Sequence, residues 1–233
     1  SLGLDQLSEF DPAKKIVEYN FLKPAPLMSM TAKDFVDEVS SESPAPGGGS
    51  VAALAGSLCA ALSAMVANLT VGKSGYEKVW KEMSELAEQG QEIKDKLSKA
   101  VDDDTNAFND LMEAMRLPKG TPEQKSARET AMEEGYKKAA AVPLETAKTC
   151  LKAMELSLAA AEKGNANSAS DAGVAALMAR AGVEGAGLNV LINLGSIRDQ
   201  EFVKAHKSEV AGFNLKAAEL CQKVLTAVSG NIK

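Results

Sequence analysis

Asp104 is the residue of this chain whose type and setting most invite chemistry. Leu97, Val101, Asp104, Phe108, Leu111 and Met115 follow one another at alternating spacings of four and three, which places a carboxylate in the apolar face of a helix. A charge there costs several kcal/mol unless it is paired. A Lys, an Arg, backbone amides or a cationic ligand would each satisfy it. The spacing leaves two readings open: a structural ion pair inside a bundle, or a carboxylate that acts on a positively charged reactant. Asp102 and Asp103 fall off the stripe and are expected in solvent.

A second chemical feature lies upstream, in Ser43–Ser50, reading SPAPGGGS. Pro44 and Pro46 fix φ, and Gly47, Gly48 and Gly49 permit backbone conformations closed to other residues. Ser50 offers an N-cap oxygen for a helix expected over Val51–Thr70, a run without charge that is rich in Ala, Ser and Gly. Free amides at such a terminus favour an anionic or strongly polar ligand, while a plain turn before a core helix is the alternative. Gly72-Lys73-Ser74 imitates the end of a nucleotide-binding loop. The first glycine of that motif would fall on Ala67 and no strand precedes it, so a nucleotide site is excluded.

Five more residues qualify by position. Lys73 follows the uncharged helix and could bind substrate carboxylates or cap carbonyls. Asp171 opens a later helix, where an acid suits the helix dipole, and shares a face with Val174 and Met178 that could border the cavity of Asp104. Asn189 and Asn193 are four apart on an otherwise apolar helix, so their amides project together, toward a polar ring or another helix. His206 lies on an apolar stripe with Val203 and Val210, as a core or interface histidine does.

These residues must be held by helices. Thr31 is placed to cap a short helix over Ala32–Ser41 that turns Phe35, Val36 and Val39 inward. A long helix is predicted over Glu77–Met115, with Leu86 and Ile93 extending the Asp104 stripe toward its start. Leu117–Pro122 breaks the chain, and a second long helix follows over Glu123–Lys163, kinked or divided at Pro143. Gly164 closes it, Asn165–Ser170 form a polar loop, and Ser170 caps Asp171–Leu194. A last helix covers Gln200–Ser229. With no set of alternating strands, the pattern predicts an all-α antiparallel bundle, its glycine-rich loop leading into a buried central helix. Residues 1–28 lack periodicity and read as an arm with an extended segment at Lys15–Phe21; residues 29–233 form the helical domain.

Composition narrows the function. Of 233 residues, 45% are hydrophobic and only 4% aromatic, so the core is built from Ala, Leu, Val and Met in closely packed helices. A net charge of −6 with intermixed signs excludes a general nucleic-acid binder. Cys59, Cys150 and Cys221 are widely spaced in apolar helical patterns and read as reduced, buried thiols of a cytoplasmic protein. One histidine excludes a multi-histidine zinc site and argues against a Ser-His-Asp triad. Val51–Thr70 is long enough to tempt a membrane assignment, but its Ser, Gly and Asn content and the lack of a second such segment favour a core helix. No signal peptide is visible, and a start at Ser1 without Met is expected of a processed or excised chain.

SPAPGGGSVAALAGSL, followed in order by DDDTNAFN, LPKGTPEQ, NANSASDAGVAAL and NVLINL, resembles the formiminotetrahydrofolate cyclodeaminase family across Met30–Val228. That family includes the cyclodeaminase half of bifunctional formiminotransferase–cyclodeaminases. The resemblance implies closure of formiminotetrahydrofolate to methenyltetrahydrofolate with loss of ammonia, in one-carbon metabolism and histidine degradation. It places Asp104, in its DTNAF setting, at the folate site as the catalytic residue. Substrate binding would then draw on Ser43, Gly47, Gly48, Gly49, Ser50, Lys73, Asp171, Asn189 and Asn193. Folate, with or without a polyglutamate tail, would be substrate, with no metal and no bound cofactor. Family members associate through this domain, so a homodimer or larger assembly is implied, with neither nucleic acid nor membrane as partner. Ser1–Tyr19 resembles the connector before the cyclodeaminase half, which implies a formiminotransferase domain upstream. Methenyltetrahydrofolate cyclohydrolase, a reaction of similar sequences, and a non-catalytic assembly domain stay open beside this reading.

Overall fold

The computed structural model describes residues 25–231, and within them the chain is helical with no strand. After a 3-10 turn at Leu27–Ser29 come α1 (Ala32–Val39), α2 (Gly48–Asn68), α3 (Trp80–Arg116), α4 (Pro122–Lys163), α5 (Ala169–Leu194) and α6 (Gln200–Asn231). The expected antiparallel bundle is what forms. The extended segment at Lys15–Phe21 and most of the 1–28 arm lie outside the described residues.

The ends of the helices follow local chemistry. The Thr31 hydroxyl accepts the Asp34 amide at the start of α1. Thr121 and Gln124 form a reciprocal capping box at the start of α4, with Pro122 in the first turn, where its missing N–H costs nothing. Four expectations shift. Ser50 does not cap α2; Gly47 does, and Ser50 sits inside the first turn. Ser170 likewise lies inside α5, whose N-cap is Ser168. Pro143 is buried within α4 and does not divide it. In α1 only Phe35 is buried, while Val36 is 63% exposed and Val39 also faces out. A two-turn helix lying on the surface has room for one inward side chain.

α2 runs through the middle of the bundle against α3, α4 and α5. Small residues set the approach distances. A Cβ built at Gly56 would overlap the Cys150 sulfur of α4, and one at Gly182 would lie 2.9 Å from the Ala52 carbonyl oxygen of α2. The core that results is rich in Ala, with Met83, Leu97, Met154, Val183 and Val224 filling the spaces between backbones. All three cysteines are free and buried, and burial pushes the Cys150 thiol up to about 12. Such a thiol is a packing group rather than a nucleophile.

One exclusion made from the sequence needs correcting. Two helical stretches, Gly48–Asn68 and Ala166–Leu194, are long and apolar enough to cross a membrane by length and composition. Both are packed into the bundle, and each keeps an apolar strip outside. Val51, Leu58, Met65 and Leu69 are exposed on α2, as are Val174, Leu177, Leu188 and Ile192 on α5.

The close approach at Gly56 is testable. Gly56→Val should lower unfolding free energy by about 1–3 kcal/mol through overpacking. Gly212→Ala, where a Cβ meets nothing within 4 Å on α6, should raise it by about 0.8–1.0 kcal/mol through helix propensity. Urea denaturation of the two variants measures both signs.

Candidate active site

The start of α2, the middle of α3 and the end of α5 meet around a cavity of about 410 Å³. Its lining includes Pro44, Ala45, Gly47 and Gly48 from the glycine segment, and Asp104, Phe108, Leu111 and Met115 from α3. Tyr136 and Ala139 of α4 and Asn189, Ile192 and Asn193 of α5 close the other sides. The stripe that carries Asp104 therefore does face inward, but its last two turns look into a cavity rather than into packed core.

Asp104 lies against the first turn of α2. A Cβ at Gly49 would overlap its carboxylate, so this helix end can reach the acid only as glycine. Burial pushes the Asp104 carboxyl above the usual carboxylate range, and the Ser50 amide and hydroxyl draw it back less strongly. The hydroxyl donates to the Val101 carbonyl at 2.8 Å, which leaves the amide as the steadier of the two. Among the described residues no Lys, Arg or His pairs with Asp104. Of the partners open to this carboxylate, the described chain supplies amides and no cation.

The glycines act through space rather than through unusual φ. Gly47 has φ −126°, and among the described residues the only glycines in the left-handed region are Gly72 and Gly75, beyond the far end of α2. A Cβ at Gly48 would come within 3.2 Å of the Asn189 amide nitrogen. Asn189 and Asn193 project together, as their spacing predicts. The Asn189 amide nitrogen donates to the Gly185 carbonyl at 2.9 Å. That of Asn193 donates to the carbonyls of Ala139 and Asn189, both at 2.9 Å. The Asn193 nitrogen is thus fully engaged and that of Asn189 keeps one N–H, while both amide oxygens are left to accept hydrogen bonds in the cavity.

Other candidates go elsewhere. The Ser43 hydroxyl turns back to donate to the Ala45 carbonyl at 2.7 Å. Ser50 is buried beneath the site and ties α2 to α3. Asp102 is not free in solvent: it accepts the Leu27 amide at 2.6 Å, while Asp103 pairs with Lys99. Lys73 lies past the opposite end of α2, a helix of 21 residues and thus roughly 30 Å long. Asp171 sits at that same far end, where the Asn165 amide donates to the Thr70 hydroxyl. Neither shares the Asp104 cavity within one subunit. His206 stacks on Phe202 away from the cavity. The helical periodicity assigns Phe108, Leu111 and Met115 to core, and it does not mark Tyr136 or Ile192. Their only signal is an apolar stripe continuing past Asp104, which does not distinguish a cavity wall from a core.

Among the described residues, no group of three or more His, Cys, Asp and Glu is arranged to hold a metal ion. The formiminotransferase-cyclodeaminase model matches residues 31–212. The chain belongs to the formiminotransferase-cyclodeaminase family. It is 38% identical over 202 residues to a methenyltetrahydrofolate cyclohydrolase of Methylorubrum extorquens, a match covering 87% of this chain and 97% of that protein. It is 37% identical over 227 residues to the formimidoyltransferase-cyclodeaminase of Rattus norvegicus, covering 96% of this chain and 42% of the relative. The chain thus spans about two fifths of that bifunctional relative. The crystal structure of formiminotetrahydrofolate cyclodeaminase from Thermotoga maritima superposes with a TM-score of 0.78 at 32% identity, covering 86% of this chain and 96% of the other. In this family setting the all-α bundle is the family fold.

The raised Asp104 pKa fixes a sign. A carboxyl whose folded pKa is raised favours the fold fully below the unfolded pKa and loses that contribution as pH rises through the folded pKa. At neutral pH the ionised Asp104 is therefore a burden, and no buried cation is stranded by removing it. Asp104→Asn should be as stable as the parent at pH 7 or more so, with any gain shrinking as pH falls toward about 4, the ordinary Asp value. Denaturant midpoints across that range check this. A loss of 3–5 kcal/mol, the cost of breaking a buried ion pair, would show that Asp104 has a structural cation partner.

Proposed function

We propose that this chain is a folate-converting enzyme that closes formiminotetrahydrofolate to methenyltetrahydrofolate and releases ammonia. The observation that carries the reading is a half-buried carboxylate, with no cation paired to it among the described residues, in the lining of a largely apolar cavity. The formimino group is cationic, and so is the methenyl product. The second folate nitrogen adds to the amidine carbon and forms a ring. That nitrogen then loses its proton and the amino group gains one, so ammonia departs while the ring keeps the positive charge. Protons and charge balance without an added acid, so one carboxylate that accepts and returns a proton suffices. Asp104 suits the task because burial lifts its pKa toward neutral, where proton exchange in both directions is easiest. Its negative charge also favours the cation at every stage, more strongly in a site with little water.

The remaining walls divide the labour of binding. Phe108, Tyr136 and Met115 offer flat and polarisable surface to a heteroaromatic ring, and the Asn189 and Asn193 oxygens accept its N–H groups. Gly47 and Gly48 keep the helix end open to it. A cavity of about 410 Å³ lies in the range of small-molecule sites. The substrate would be the only folate involved, with no metal and no further cofactor, in a cytoplasmic protein joined to or working beside a formiminotransferase.

Cyclohydrolase activity is the second reading, favoured by the name of the Methylorubrum extorquens relative. The extent of the matches does not separate the two: matches to bifunctional relatives cover 86% of this chain (Mus musculus) and 96% (Rattus norvegicus), and the match to the cyclohydrolase covers 87%. The connector-like sequence of Ser1–Tyr19 favours the cyclodeaminase. We also take the working unit to be a homodimer, because the exposed strips of α2 and α5 are too apolar and too long for solvent.

Supplying formimino- and methenyltetrahydrofolate separately, and following methenyl absorbance, separates the readings. Formation of the methenyl product from the first supports the cyclodeaminase. Its disappearance from the second, with no reaction of the first, supports the cyclohydrolase. Inertness toward both would leave an assembly domain. In the active case Asp104→Asn should lose roughly two to four powers of ten in turnover, the share of a positioned acid–base group. Sedimentation at micromolar concentration should return twice the 24.4 kDa chain mass; a monomer would remove the dimer.

A further inference from the structure

Arg128 of α4 reaches back to the end of α3, where its Nε and Nη2 donate to the Met115 carbonyl at 3.1 and 3.0 Å. Met115 lines the Asp104 cavity, so the guanidinium stands at the edge of that cavity. The carbonyl belongs to the last turn of α3, where carbonyls lack helical partners, and the contact closes the helix end. It uses only one edge of the guanidinium. Two of the five N–H groups are engaged; both on Nη1 and one on Nη2 have no acceptor among the described residues. Among those residues Arg128 is in no ion pair either.

A second cavity, of about 180 Å³, opens beside Arg128 and shares Tyr136 and Ser196 with the Asp104 cavity. Together they form one trough, with the carboxylate toward one end and the guanidinium at the other. Glu129, Glu133 and Arg198 also border the smaller cavity, and they are taken up by one another. Glu129 accepts from the Arg198 guanidinium at 3.0 Å. The Glu133 carboxylate accepts the Arg198 amide at 3.1 Å and the Asp199 amide at 3.3 Å. Among the described residues, Arg128 is thus the cation of the trough left without an acid.

Met115 follows Asp104 by eleven residues of α3, roughly 16 Å of helix. The arm of a folate has that reach. From the reacting nitrogen, through the aminobenzoyl ring and its amide, to the two glutamyl carboxyl carbons is about 9–12 Å by ordinary bond lengths. A hydrogen bond at each end adds about 3 Å. We propose that Arg128 binds the glutamyl carboxylate of the substrate on the free edge of its guanidinium, and so selects for the tail and sets the reacting carbon beside Asp104. The substrate is cationic at its one-carbon end and anionic at its tail. The trough carries the opposite signs in the same order, so the substrate enters in one direction. A guanidinium already fixed by a carbonyl has little freedom left to lose, and its planar edge takes a carboxylate through two parallel hydrogen bonds. The role of Arg128 rests on the folate reading above and adds to it the residue that recognises the tail.

Paired substrates and one substitution test it. Formimino- and methenyltetrahydrofolate are each supplied beside a diamide analogue, in which both glutamyl carboxylates are carboxamides of the same shape. For the form that is turned over, wild-type protein should show a KM roughly 10–100-fold higher with the diamide, the worth of a hydrogen bond to a charged group, and kcat little changed. Arg128→Gln should raise KM for the natural tail by a similar factor and leave KM for the diamide where it was. If Arg128 only closes the end of α3, the substitution moves both substrates alike, and that result overturns the proposal. So does a wild type indifferent to the diamide, a comparison that holds even where Arg128→Gln does not fold. Wild-type protein inert toward both folates would sink the folate reading and the role of Arg128 with it. Turnover without preference for the tail would sink the role of Arg128 alone.

Discussion

The contact between the Asp104 carboxylate and the glycine start of α2 is the constraint on which the site depends. Two effects meet there with opposite sign. The free amides and positive end of α2 favour the charged acid, and removal from water disfavours it. Desolvation is the larger, so the acid is held above its ordinary pKa. A neighbouring lysine would have reversed that balance and tied the carboxylate into the bundle. Because the helix end contributes amides but no counter-ion, the carboxylate keeps its affinity for an incoming cation. Any side chain at Gly49 would push the two apart.

The same economy of side chains builds the scaffold. α2 can pass between α3, α4 and α5 because Gly56, Ala60 and Ala64 present little bulk, with Gly90 and Gly182 answering from α3 and α5. Backbones at this separation gain dispersion contacts, but they leave little volume for large side chains, and the core has few. The larger apolar residues of α2 and α5 then end up outside. α2 has no charge on any side, and α5 none beyond Asp171 and the Arg180–Glu184 pair, so both helices call for cover on most of their surface; within one chain that cover stops at Leu58 and Leu188.

How much of this could be read from the sequence follows from what periodicity encodes. A spacing of three and four assigns a residue to a helix face, and it did so for Asp104, for Asn189 with Asn193, and for the buried side of α6 from Val203 to Val228. It does not assign a height along the bundle. Asp171 and Asp104 both sit on sensible faces, yet one is at each end of the molecule. Lys73 was misplaced for the same reason. Helix starts were missed by two or three residues where serine was preferred as a cap, because glycine can serve as N-cap by leaving the amides bare. The glycine segment was read as needing unusual φ; what it needs is the absence of Cβ, and composition does not separate those two demands.

The two activities known among the relatives differ only in what attacks or leaves a one-carbon cation between two folate nitrogens. A carboxylate beside that cation lowers the barrier to both, so Asp104 by itself does not choose. What chooses is whether water or the amino group occupies the position next to the carbon. Phe108, Leu111, Met115 and Ile192 give the cavity apolar walls, which offer an attacking water no hydrogen-bond partner. Asp104 and the two asparagine oxygens are acceptors and so suit N–H groups of a substrate and of departing ammonia, while Tyr136 and Ser196 add hydroxyls to the same lining. An ammonia-releasing ring closure needs acceptors and dryness together; hydrolysis needs a held water. On the folate reading proposed above, the wall opposite Asp104 would therefore decide between the two reactions more than the acid itself.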